Sequence, residues 1–298
     1  MKEKLKILVF NGETPIADLK DDNLSPVWIS GGGTIIAEMH SQQIQSMGHD
    51  VIILAPQHRG TYLPREINRI ILNCEIPWDF GVHHIVNNQE LLDPILMGID
   101  DADVLYVSHP LAGVVIAHLK ESGYLGTRKK FVYVGQSWGR MIAESVMGQE
   151  VFKSRDEVEN LILSTADRII VYTQAEKEII SRLYFVKTNA IQKRICIIPL
   201  GVDQKIFNPQ LRQKNRSELR KIYLGDLSNT VNFFMLARFA PQKGQKMAIE
   251  AFAQVLQENP MLSLSLSLFG TLPHEEKSMT KREYFKSSME YVSSLPLN

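Results

Sequence analysis

The sequence predicts an α/β protein with one Rossmann-like parallel-sheet domain followed by an incomplete second Rossmann-like domain. Three observations carry this reading. Short, continuously apolar, β-branched runs recur along the chain, and segments of helical periodicity lie between most of them. A break containing two prolines and a glycine, Pro199 to Pro209, then precedes a restart of the same alternation. Continuous apolar runs mark strands buried on both faces. Their alternation with helices gives a parallel sheet wound by right-handed crossovers, whose ligands lie beyond the carboxyl ends of the strands.

In chain order, the expected strands of the first domain are Ile7–Phe10, Val51–Leu54, Ile70–Leu72, Val104–Val107, Phe131–Val134, Ile169–Tyr172 and Ile195–Ile198. A helix is expected over Thr34–Met47, where Ile35, Ile36, Met39 and Ile44 fall at helical spacing and Gly48 offers an exit. Leu111–Glu121, Arg155–Ser164 and Gln174–Tyr184 read the same way. The break and the charged segment Gln210–Tyr223 are read as the linker, dividing the chain into 1–208 and 209–298. The second alternation comprises a strand at Val231–Leu236, a helix at Gly244–Gln257 and a strand at Leu262–Phe269, whose alternating serines are small enough for burial.

Bulk properties narrow the function by exclusion. The 298 residues suit about two domains of roughly 150 residues each. Basic and acidic residues balance at 33 each, so no net field attracts a polyanion and no nucleic-acid partner is expected. Cys74 and Cys196 are too few for a disulfide framework and lack CxxC spacing; they read as buried fillers in a reducing, cytoplasmic setting, with no metal site. No window approaches the ~18 apolar residues of a membrane span, which leaves peripheral membrane contact at most. Oligomeric state is not encoded legibly.

The candidate chemistry sits where strands end. Gly31-Gly32-Gly33 lies between the first strand and a helix, so backbone N–H groups can approach a phosphate; its spacing is not GxGxxG, and glycine also serves as a plain turn. Arg238 and Lys243 flank a strand-to-helix turn as a plausible diphosphate clamp or as solvated surface charges. His109 follows one expected strand, and Gln136, Ser137 and Arg140 follow the next. A histidine at a strand end also commonly satisfies loop carbonyls. His83-His84 lies in a loop and carries less information.

Taken together, these segments resemble the retaining glycosyltransferases of group 1, or family 4, which have the GT-B fold. Gly31-Gly32-Gly33 with Glu38 and Gly48-His-Asp-Val-Ile-Ile-Leu-Ala-Pro56 is similar to the family's opening glycine loop, helix and "GHxVxVxxP" strand. Ala166-Asp-Arg-Ile-Ile-Val-Tyr-Thr173, Ile197-Ile-Pro-Leu-Gly-Val-Asp203 and Phe207-Asn-Pro209 resemble its "ADxhhxxS" and "hIPNGVDxxxFxP" motifs. Leu236-Ala-Arg-Phe-Ala-Pro-Gln-Lys-Gly244 with Ile249-Glu-Ala-Phe252 resembles "GRLxxxKGxxxhhxAF", and Gly135-Gln-Ser-Trp-Gly-Arg140 resembles the "GHSLGR" segment of sucrose-phosphate-synthase-like members.

The resemblance implies transfer of a sugar from a nucleotide-sugar to an acceptor hydroxyl with retention, without a cofactor. It implies that Gly31, Arg238 and Lys243 hold the donor and that Gly32, Gly33, Gln136, Ser137 and Arg140 line the acceptor side. His109 is the catalytic candidate. Three departures qualify this. Gln136 stands where the family segment has His, and an ungapped alignment places Ser108 at a family His position, with His109 one place later. The chain also ends at Asn298, before the family's "ExxxxxxxE" motif is expected; Glu275 and Glu283 have that spacing but lie too early, in a charged helical segment. The sequence is therefore expected to stop within its second domain. A non-catalytic sugar- or nucleotide-binding protein, or an inactive truncated remnant, is the rival reading, with a GT-B epimerase or phosphorylase a third.

Overall fold

The computed structural model describes residues 3–10, 17–18, 27–28, 32–56, 68–72, 89–136, 138, 153–184, 189–202, 204, 207–224, 230–270 and 279–294. The chain divides into two compact units, Met1–Leu200 and Gly201–Asn298. The break read from the sequence spans that division.

In the first unit, β1 (Lys6–Phe10) is followed by the short antiparallel pair β2 (Ala17–Asp18) and β3 (Val27–Trp28), then α1 (Gly32–Ser46), β4 (Asp50–Pro56) and β5 (Asn68–Leu72). Next come α2 (Gln89–Asp100), β6 (Val104–Val107), α3 (Pro110–Glu121), β7 (Lys130–Val134) and α4 (Lys153–Thr165). The unit closes with β8 (Arg168–Val171), α5 (Gln174–Leu183), α6 (Asn189–Gln192) and β9 (Ile195–Ile197). Seven strands form one sheet in the order β5-β4-β1-β6-β7-β8-β9, and every pairing in it is parallel. Strand order reverses direction between β1 and β6, the switch point at which doubly wound sheets bind ligands.

Alternation within β1 shows why its apolar run is uninterrupted. Leu8 and Phe10 enter a core shared with α2, α3, α4 and α5, through residues such as Ile95, Ile99, Val115, Ile116, Ile162 and Ile180. Ile7 and Val9 enter a separate cluster with Ala37 of α1, Val51, Ile53, Tyr106 and Val134. Helices thus cover both faces, and a strand between them needs apolar side chains at every position.

The second unit contains α7 (Pro209–Leu224), β10 (Val231–Leu236), a 3-10 turn at Pro241–Lys243, α8 (Gln245–Glu258), β11 (Leu264–Phe269) and α9 (Met279–Ser294). β10 and β11 pair in parallel, Val231 opposite Leu264, as a two-stranded sheet. Helix α8 covers one face: Phe252 meets Phe233 edge-on with centroids 6.0 Å apart, and Ile249 and Ala253 are buried. Helix α9 packs beside α8, where Phe285 lies 5.0 Å from Phe239 and the Tyr284 hydroxyl accepts from Lys246 N–H at 2.9 Å.

Four expectations need correction. The charged segment Gln210–Tyr223 lies wholly in helix α7 rather than in a linker, because its Gln, Leu, Arg, Lys and Glu residues are strong intrinsic helix formers. Cys196 is half-buried rather than a core filler, since β9 is an edge strand; Cys74 lies outside the described residues. The serines of β11 are half-buried rather than fully buried, because the second sheet lacks neighbours among the described residues, which also leaves Val231, Phe233, Phe234, Leu236 and Phe269 exposed. Gly32 and Gly33 form the first turn of α1 rather than a loop before it. Helix α2 is also missing from the sequence reading, because Pro94 interrupts its pattern, although Ile95 and Ile99 on it are fully buried.

Candidate functional site

The carboxyl edge of the first sheet gathers most of the described candidates. Phe10 pairs with Val107, Val107 with Tyr133 and Val134 with Ile170, so β1, β6, β7 and β8 end nearly level. The ladder continues one residue beyond β7, where Gly135 N–H donates to the Ile170 carbonyl at 3.0 Å. Ser108-His109 and Gly135-Gln136 consequently leave neighbouring strands side by side.

His109 is buried and takes the N-cap place of α3, its carbonyl accepting from Gly113 N–H at 2.8 Å ahead of Pro110 at the first helical position. Ser108, the residue aligned with the family histidine, is 3% exposed, and among the described residues its hydroxyl has no hydrogen-bond partner. Gln136 is half-buried. Helix α1 returns the chain to the amino edge, where β4 starts beside β1 through Asp50 N–H donating to Leu5 O at 2.9 Å. The amino terminus of α1, carrying Gly32 and Gly33, therefore lies at the carboxyl edge with its free N–H groups and positive dipole end. Gly31, Ser137 and Arg140 lie outside the described residues.

The turn after β7 rests on Trp138, which sequence reasoning passed over. Trp138 is 1% exposed, and its indole lies over Gly135 so closely that a Cβ there would come within 2.3 Å of the ring. Only glycine fits. The indole meets Tyr133 and Tyr184 edge-on at 5.7 and 5.6 Å, and its Nε1–H donates to Glu176 Oε1 at 3.2 Å. Glu176 Oε2 accepts from Tyr172 N–H at 2.8 Å, and Thr173 Oγ1 caps α5 by accepting from Glu176 N–H at 3.0 Å. This is close to a capping box, with the acid one residue off the usual reciprocal partner. Burial, together with the Glu176 carboxylate, pushes the Tyr172 phenol up to about 12.

On the face carrying α1, Tyr106 and His40 share a hydrogen bond. Burial lowers the His40 imidazole and raises the Tyr106 phenol, to which neighbouring Tyr172 adds. Both groups are neutral near pH 7, which suits a polar contact at the margin of an apolar cluster.

Some motif residues prove to be latches at the opposite, amino edge. Burial pushes the Asp167 carboxyl up, but the Lys120 ammonium at 2.6 Å and the Phe131 N–H at 2.8 Å more than offset it and hold Asp167 below its ordinary value. His49 Nδ1 accepts from Leu5 N–H at 3.3 Å, and Gly48 leaves α1 at a left-handed φ of 94°. These residues start strands and touch no ligand edge.

In the second unit, Arg238 and Lys243 are exposed at the carboxyl end of β10, on either side of the turn into α8. Their backbone is firmly held. Gln245, 1% exposed, donates through Nε2 to the Arg238 carbonyl at 2.9 Å, and Gly244 turns at a left-handed φ of 74°. Gly270 is required because a Cβ there would stand 1.9 Å from the Ala237 carbonyl oxygen. Among the described residues neither cation forms a salt bridge, no cluster of His, Cys, Asp and Glu could hold a metal, and no helix is long and apolar enough to cross a membrane.

A doubly wound parallel sheet with polar groups and helix amino termini at one edge, followed by a second parallel α/β unit with cations at a strand end, defines a protein of the GT-B fold class. Solved structures with this fold align along nearly the whole chain. The catalytic domain of starch synthase IV from Arabidopsis thaliana, bound to ADP and acarbose, has TM-score 0.63 at 12% identity, covering 98% of this chain and 73% of that one. An alpha,alpha-trehalose-phosphate synthase (UDP-forming) from Burkholderia vietnamiensis gives 0.63 at 12%, covering 99% and 70%. A glycosyltransferase from Rickettsia africae gives 0.61 at 18%, covering 98% and 66%. Residues 29–205 match the sequence profile of Glycosyltransferase Family 4, and the chain belongs to that family. It is 29% identical over 120 residues to the D-inositol 3-phosphate glycosyltransferase of Paenarthrobacter aurescens, a match spanning 40% of this chain and 27% of that protein.

Proposed function

We propose that this chain acts as a retaining glycosyltransferase, binding a nucleotide-sugar and transferring its sugar to an acceptor hydroxyl. The observation that carries the reading is the pair of exposed cations, Arg238 and Lys243, held on a rigid strand-to-helix turn in a chain of Family 4. In the proposed reaction the bond from the anomeric carbon to the diphosphate breaks with its electron pair leaving on phosphate oxygen. The acceptor oxygen forms the new bond on the same face and passes its proton to the departing diphosphate. Arg238 and Lys243 stabilise the charge that accumulates, so no metal or cofactor is needed. Gly31 contributes to the donor side. Gly32, Gly33, Gln136, Ser137 and Arg140 orient the acceptor, and His109, at the end of β6, is the catalytic candidate beside them.

Binding without transfer is the alternative, favoured by a second sheet with only two strands among the described residues. Incubation of the chain with UDP-, GDP- and ADP-sugars, following nucleotide release and calorimetric binding, separates the two. Release with retained anomeric configuration supports the transferase. Binding without release supports the alternative, and neither binding nor release overturns both.

A further inference from the structure

We propose that Glu176 is a positioning residue for the proposed acceptor side, acting through Trp138 to fix the turn that carries Gln136. The inference rests on the transferase reading for its functional consequence but not for its structural one. The ladder of β7 ends at Gly135, which has no side chain of its own, and the half-buried Gln136 follows it. The fixed point of this turn is Trp138, wedged between Tyr133 and Tyr184 and lying over Gly135. Ring packing locates the indole plane, and the bond from Nε1–H to Glu176 Oε1 fixes the direction in which its edge points.

Glu176 is itself anchored. It occupies the first turn of α5, where the helix dipole favours a carboxylate, and its second oxygen accepts the Tyr172 N–H at 2.8 Å. One carboxylate thus ties the chain leaving β7 to the chain leaving β8, across the two ends of neighbouring strands. A glutamine at 176 has a single acceptor oxygen, so either the Tyr172 amide or the Trp138 indole loses its partner. A phenylalanine at 138 keeps the ring and loses the donor.

The test uses the full chain, with Glu176→Gln, Trp138→Phe and the double variant. Nuclear magnetic resonance of 15N-labelled protein reads the Trp138 indole and the Gln136 backbone amide directly, whether or not the chain turns over. In Glu176→Gln the Gln136 amide is expected to shift and to exchange faster, while amides of β1 and β4 stay unchanged. The double variant is expected to match Trp138→Phe, because both changes break one connection. In parallel, the acceptor KM is expected to rise about tenfold, the loss of one charge-assisted hydrogen bond, with donor KM unchanged. A Gln136 amide that stays unmoved in Glu176→Gln while the Trp138 indole proton shifts, or that stays unmoved in Trp138→Phe, overturns the inference, as do additive effects in the double variant. A wild-type chain that transfers nothing overturns the transferase reading instead and leaves the resonance result to decide this one. Should Glu176→Gln melt α5, Trp138→Phe carries the same comparison.

Discussion

Strands β1 and β10 are both continuous apolar runs at the head of an α/β unit, yet they have opposite fates. Leu8, Val9 and Phe10 are at most 1% exposed, whereas Phe234 and Leu236 are 74% and 76% exposed. The difference lies in the neighbours. β1 lies inside a sheet of seven parallel strands with helices on both faces, whereas among the described residues β10 has one strand beside it and α8 on one face. An apolar run states what burial a strand can use. What it receives depends on the rest of the sheet.

The sharpest break of this comparison is a pair of truncations. Phe131→Ala, in a fully buried ring of β7, is expected to cost about 3–5 kcal/mol, while Phe234→Ala stays within about 0.5 kcal/mol, both read by urea unfolding. Equal costs would mean that the second sheet is covered in solution. Next in size, Arg238→Ala or Lys243→Ala is expected to weaken nucleotide-sugar binding by about 1.5–3 kcal/mol each in calorimetry, with unfolding unchanged. Unaltered affinity in both variants would remove the donor role from the second unit.

A smaller effect probes the amino edge of the first sheet. Asp167→Asn is expected to cost about 1 kcal/mol near pH 7, a charged hydrogen bond discounted for one-third exposure. The Asp167 carboxyl is held below the ordinary aspartate value of 3.8, so its contribution is present above that value and is lost as the pH falls through the lower folded value. Acid titration of unfolding should therefore show a smaller loss below pH 3.8 in Asp167→Asn than in the parent chain. The smallest expected effect on stability is Phe234→Lys, which should leave unfolding within about 0.5 kcal/mol while reducing self-association in light scattering. An unchanged scattering profile would argue that this exposed face does not drive association.

Much of the fold was legible because strands buried on both faces write themselves as Val, Ile, Leu and Phe without interruption. β6 and β10 fall on their expected residues, and the other expected strands are found with shifts of one to two residues at their ends. Helix α2 was hidden by Pro94, and α7 by a surface so charged that it resembles a linker. Of the candidate site, His109, Gln136, Arg238 and Lys243 were recognisable because strand ends and helix starts mark the ligand edge. Trp138 and Glu176 were not. Their contact joins residues 38 apart in sequence, and neither has a local spacing that announces it; the nearest signal was Thr173 followed three residues later by Glu176, a helix-capping pattern.

The two edges of the first sheet also answer to different kinds of selection. Asp167 and His49 hold strand starts at the amino edge, so exchanging them bears on stability and leaves the ligand edge untouched. Gln136 sits half-buried at the opposite edge, where exchange of a side chain alters the ligand surface with less penalty to folding than in the core. Changes of substrate preference are therefore expected at the carboxyl edge, where Gln136 stands in place of the histidine of the motif that its segment resembles.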